Sequence, residues 1–196
     1  MAIRLVSFDA LHTILAPRLP IYVQYSQTFA PFVGVLEPES LKSSFKIALK
    51  QLQTEKPAYH GHNGAQGWWE EVIKRTAIGA GADSQVVISS LHEIVPRLMA
   101  RFSSREGYKL FDDSLPVREL KTMSIRTALV SNTDSRMHLV LRDLDVVSYF
   151  DPVILSEETG VDKPSPVIFL RACRALNGSH ILKPEQCVHV GDELDW

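Results

Sequence analysis

A short apolar run near the N-terminus, Ile3, Leu5, Val6 and Phe8, ends abruptly on a carboxylate, Asp9, with Thr13 following in the same stretch. The run is too short for a helix and rich in branched residues, which predicts a strand buried in a parallel sheet. In an open α/β sheet, ligands bind just beyond the carboxyl ends of the strands, and Asp9 falls at such an end. An acid there serves as nucleophile, metal ligand or helix cap, and a single instance leaves all three open.

Three later stretches repeat the pattern. Residues 115–123 read as a short helix, and 126–130 as a strand ending on Ser131-Asn132-Thr133-Asp134. A helix is expected around 137–144, then a short strand at 152–155. Ser156 through Pro164 follows, and a helix starts at Pro164 or Ser165 with Ile168, Ala172 and Ala175 among its apolar positions. Residues 186–190 form a last strand, ending on Gly191-Asp192-Glu193. Such alternation predicts an α/β fold, a parallel sheet flanked by helices.

Between the first strand and this region the character differs. From Pro20 to about Phe102 the spacing is helical throughout, with Ile21, Tyr25, Phe29 and Phe32 on one helix and Leu41, Phe45, Leu49 and Leu52 on the next. Residues 56–67, rich in Pro, Asn and Gly, read as a loop. His60 and His62 within it are spaced like metal ligands but have no carboxylate or thiol nearby, so a solvated loop is expected. Trp68 and Trp69 open a third helix as core packing. Val87, Leu91, Val95, Leu98 and Phe102 continue helically, with Pro96 expected to kink or split that helix. The chain therefore divides into a core of 1–16 with 110–196 and an inserted all-helical domain of 17–109.

At 196 residues and 45% hydrophobic content, the chain can bury a full core and carry an insert. A net charge of −2 offers no basic surface for nucleic acid or an acidic membrane. No stretch approaches the ~20 apolar residues of a membrane span, and no leader-like segment precedes the first strand. Cys173 and Cys187 form no CxxC and are too few for a disulfide framework. A soluble cytoplasmic protein acting on a small molecule is the expectation.

The strand ends deliver, in order, a carboxylate (Asp9), a hydroxyl and an amide (Ser131, Asn132), an ammonium (Lys163) and a second carboxylate (Asp192). Together these are the parts needed to hold a phosphoryl group. Mg²⁺ would neutralise substrate oxygens between the acids, Lys163 and Ser131 would hold the remainder, and Asp9 would attack as a covalent nucleophile. The four side chains of Asp9, Ser131, Lys163 and Asp192 are expected to converge on one cleft.

FDALHTIL, LVSNTD, GVDKPSPVIF and HVGDELD resemble the four motifs of the haloacid dehalogenase-like (HAD) superfamily, and the helical insert resembles its C1-type cap. Within it, GWWEEVI and SEETGVDKPSPVIF resemble the domain-containing protein 3 subgroup. The resemblance implies a Rossmann-like core, Asp9 as nucleophile and Thr13 supporting its loop. It also implies Ser131 and Lys163 as phosphate or intermediate ligands, and Mg²⁺ on Asp9, Asp192 and the backbone carbonyl of Leu11.

Three departures from the pattern carry expectations of their own. HAD phosphatases resemble DxDGT at the first motif, so Leu11 stands where the general acid/base aspartate would be, a group contributing roughly 10²- to 10⁴-fold in rate. His12 replaces a glycine that tolerates unusual backbone angles. The second acid of the last motif would fall just past Trp196, together with a helix and a strand. That predicts a C-terminally incomplete, aggregation-prone form. Two function classes follow: a hydrolase with an aspartyl intermediate, phosphatase-like or dehalogenase-like and weakly active, and a non-catalytic binding protein of the same fold.

Overall fold

The structure is a computed structural model that describes residues 2–60, 62–112, 116–176 and 182–192. The chain divides into two compact units, Met1–Ala16 with Tyr108–Trp196, and Pro17–Gly107. In chain order the elements are β1 (Leu5–Phe8), β2 (Leu15–Pro17), α1 (Ile21–Val33), α2 (Pro38–Glu55), α3 (Gly64–Gly79), α4 (Ser84–Arg101), β3 (Tyr108–Leu110) and α5 (Pro116–Thr122). There follow β4 (Arg126–Ser131), α6 (Met137–Asp143), β5 (Val153–Leu155), α7 (Ser156–Thr159), α8 (Pro166–Ala175) and β6 (Cys187–Val190).

In the first unit the sheet has the order β5-β4-β1-β6, and its neighbouring strands are parallel. Strand β4 is buried at every position after Arg126, as its apolar run requires. Because successive side chains point to opposite faces, Leu129 joins a cluster with Ala10, Ile14, Met137, Leu141 and Leu155. Ala128 and Val130 join another with Leu5, Ile168 and Ala172. The register pairs Phe8 with Leu129 on one side and with Val190 on the other, so β1, β4 and β6 present their carboxyl ends along one edge. This is the α/β parallel sheet that the alternating pattern predicts, and the Rossmann-like core that the resemblance implies. Strands β2 and β3 pair with each other as well. Three-residue strands are too short to show alternation, and the sequence did not suggest this ribbon.

The second unit is helical. Tyr25 packs its ring against Phe29, Phe45 and Phe102, with centroids 5.3 to 5.9 Å apart. Trp68 is 4% exposed beside Leu52 and Val72, and its indole N–H donates to the Lys56 carbonyl at 2.9 Å. Asp83 caps α4 by accepting from the N–H groups of Gln85 and Val86. One local expectation needs correction and a second is narrowed. Helix α3 starts at Gly64, so its first turn comes from the segment read as a loop; Asn63 takes a left-handed conformation just before it. Helix α4 runs through Pro96 without division, because the buried Ile94, Val95 and Leu98 hold both halves in place. Among the described residues no helix is long and apolar enough to cross a membrane.

Candidate functional site

Asp9 follows directly on β1, where its backbone N–H still donates to the Val190 carbonyl of β6. Its carboxylate is held on both oxygens. Oδ1 accepts from the Ala10 N–H and from the Ser131 hydroxyl, each at 2.7 Å, while Lys163 Nζ lies 2.9 Å from Oδ2. Ser131 is 1% exposed, and the side chains of Lys163 and Asp9 are 2% and 15% exposed. A charge pair this deep is costly to form and costly to break, since removing one partner leaves the other charged and buried, at about 3–5 kcal/mol. Three residues from three distant motifs thus meet at one point.

The loop after β4 builds the support. The Asn132 side chain accepts the Lys163 N–H at 2.6 Å and donates to the Lys163 carbonyl at 3.0 Å, clamping the backbone that carries the ammonium. Asn132, read from sequence among the substrate-binding residues, here has its amide on the Lys163 main chain. Asp134, 4% exposed, accepts from the Arg136 N–H, Nε and Nη2 at 3.0, 2.8 and 2.7 Å and stiffens the same loop. Thr13 Oγ1 is buried without a hydrogen-bond partner among the described residues, while the Thr13 N–H donates to the Ala10 carbonyl at 3.4 Å. Leu11 is partly buried against the cluster that holds Ala10 and Ile14. His12 is exposed and has φ 59°, the left-handed region expected of the glycine it replaces.

Asp192 is exposed, just past β6. The preceding Gly191 passes close by Asp9: a Cβ there would lie 3.7 Å from Asp9 Cβ. Carboxylates such as Asp9 and Asp192 and a main-chain carbonyl such as that of Leu11 are hard oxygen donors, of the kind that would suit Mg²⁺. Among the described residues no group of three His, Cys, Asp or Glu side chains forms a protein-built metal cage; Mg²⁺ characteristically needs none.

One further group was not singled out from sequence. His189 on β6 has Nδ1 3.0 Å from Ser7 Oγ, its ring edge-on to Phe169 at 4.9 Å, and Nε2 buried without a partner among the described residues. Burial, then the Lys163 ammonium, push its pKa below the usual value, against an opposing pull from Asp9. An ionisable residue inside an otherwise apolar strand was the signal that could have found it.

A family model described as "Hydrolase: haloacid dehalogenase-like hydrolase" matches residues 4–195. The human "Haloacid dehalogenase-like hydrolase domain-containing protein 3" is 30% identical over 196 residues, spanning 98% of this chain and 75% of that protein. Among solved structures, the defluorinating L-2-haloacid dehalogenase Rha0230 superposes with a TM-score of 0.73 at 16% identity, over 96% of this chain and 73% of that one. The putative HAD-hydrolase YfnB from Bacillus subtilis, bound to magnesium, superposes with 0.68 at 17% identity, over 99% and 80%. At such identities the structural matches speak for the fold.

Proposed function

Because this chain belongs to the haloacid dehalogenase-like hydrolase family, we propose that it hydrolyses a small phosphorylated molecule through an aspartyl intermediate at Asp9, at a rate limited by Leu11. The observation that carries this reading is the Asp9 carboxylate gripped by Ser131 at the end of β4 and by Lys163 from the loop before α8. An incoming phosphoryl group takes over the Ser131 hydroxyl and the Lys163 ammonium as ligands for its oxygens. Asp9 keeps the Ala10 N–H on Oδ1, which orients Oδ2 for attack. The new acyl phosphate forms as the ester oxygen leaves, and water then releases phosphate and restores Asp9. Mg²⁺, held by Asp9, Asp192 and the Leu11 carbonyl, would supply further charge neutralisation at the phosphoryl oxygens. Lys163 supplies the same kind of stabilisation from the protein side, aimed by the Asn132 clamp.

The leaving oxygen needs a proton, and Leu11 has none to offer. Turnover is therefore expected with aryl phosphates, whose leaving groups depart unprotonated, and hardly at all with alkyl phosphates. Asp9→Asn should abolish it. The packing of Leu11 against apolar side chains favours one other reading, a dehalogenase-type displacement at carbon, because a halide leaves without a proton and without Mg²⁺. The helical unit, by its insertion between the first two motifs, is proposed to be a cap domain of the C1 type. The test is a steady-state panel of aryl phosphates, alkyl phosphates and 2-haloacids, each with and without Mg²⁺. Turnover of the haloacids alone would replace phosphatase by dehalogenase. No turnover of any class, with no stable beryllium fluoride adduct at Asp9, would leave a binding protein.

A further inference from the structure

Cys173 and Cys187 are the only cysteines of the chain. No motif joins them in sequence, yet α8 and β6 bring their sulfurs to 3.4 Å, both thiols being reduced. We propose that the pair is an oxidation site, at which a small disulfide closes Cys173 and Cys187 into a reversible cross-link between α8 and β6. A disulfide bond is about 2.0 Å long, so the sulfurs need approach by only about 1.4 Å. Strand β6 has β1 as its one neighbour among the described strands, which leaves it room to adjust.

The two thiols differ in access. Cys173 is 8% exposed and faces the apolar cluster beneath α8, whereas Cys187 is half-buried with Sγ 3.4 Å from the Lys183 carbonyl. An oxidant therefore meets Cys187 first. The Cys187 thiolate attacks one sulfur of the small disulfide, giving a mixed disulfide and releasing one small thiolate, which takes up the proton. The Cys173 thiolate then attacks the Cys187 sulfur, forming the intrachain bond and expelling the second small thiol with its proton. Two electrons pass from the pair to the reagent, and two thiols leave. Burial, then the neighbouring Cys173 thiol, push the Cys187 pKa up to about 12. Closure is thus slow at neutral pH and gains about tenfold in rate per pH unit as the thiolate population grows.

The cross-link joins two elements that border the candidate site. Helix α8 begins just after Lys163, and β6 leads into Gly191 and Asp192. The pairing does not depend on which reaction that site performs. To test it, the full chain is incubated with oxidised glutathione from about pH 7 to about pH 9. It is then denatured, alkylated with N-ethylmaleimide and weighed intact. The expected product is a monomer lighter by two hydrogen atoms, closed to alkylation, reopened by dithiothreitol, and melting several degrees higher than the reduced protein. Because the chain has two cysteines, that mass assigns the bond uniquely. Cys173→Ser should stop at the glutathione adduct on Cys187. A single equivalent of phenylarsine oxide, which bridges adjacent thiols, should protect both from alkylation in the unmodified chain. Double alkylation at every pH, a glutathione adduct that persists with Cys173 still alkylatable, or a disulfide-linked dimer would overturn the proposal.

Discussion

In the proposed reaction, position 11 decides whether the leaving oxygen can receive a proton. An aspartate there would hand a proton to the leaving oxygen, whereas Leu11 is packed against the apolar cluster that also holds Ala10 and Ile14. Leu11→Asp should therefore have two opposite effects. Alkyl phosphate turnover is expected to rise by roughly 10²-fold or more, and aryl phosphate turnover by less. The fold should lose about 1 kcal/mol, from apolar area returned to water, measurable as a lower urea midpoint. A gain equal for both esters would argue against a proton-transfer role for the position. The residue next to it, His12, occupies a left-handed position at φ 59° with its side chain exposed.

At the level of elements, β6 is the strand on which the site leans most and which sequence reading used least. It carries His189, hydrogen-bonded to Ser7 of β1 and edge-on to Phe169 of α8, so one ring joins two strands and a helix. With its pKa lowered in the folded chain, His189 binds its proton more readily when unfolded. Stability at that group is then full above the unfolded value of about 6.5 and falls as pH drops through that value toward the lower folded one, where the loss levels off. Urea midpoints measured across this window should decline with acid in the unmodified protein and decline less in His189→Gln. Equal slopes would show that other groups carry the acid sensitivity. The loop after β4 works in the opposite direction, fixing rather than titrating. Asn132 reaches across to both main-chain groups of Lys163, so the ammonium is placed by an amide from a different motif.

For the molecule as a whole, the two compact units have cores of their own. In Pro17–Gly107, the aromatic group around Tyr25 and the Trp68 cluster bury apolar area without help from the sheet. A polypeptide of residues 17–107 is therefore expected to fold alone, with a helical circular dichroism spectrum and a cooperative melt. Phe29→Ala within it should cost about 3–5 kcal/mol, since Phe29 is fully buried. A gradual, featureless melt would show that the insert depends on the rest of the chain.

The amino-acid sequence by itself determined the class of the fold and the residues at the strand ends. Buried parallel strands must be short apolar runs, and their carboxyl ends must be polar where a ligand binds, so Asp9, Ser131 and Asp192 could be named from local patterning; Lys163, which lies beyond α7 and not at a strand end, was named from its motif. The start of α3 and the continuity of α4 through Pro96 were not legible, because tertiary burial overrides the local preferences of Gly, Asn and Pro. What only the tertiary structure decided are contacts between segments distant in the chain: the Lys163 ammonium on Asp9, the Asn132 clamp, the His189 ring behind them and the meeting of Cys173 with Cys187. Local sequence sets which way a side chain points along its own strand or helix. Which partner it meets there depends on strand order and register, and these come from the packing of the whole sheet.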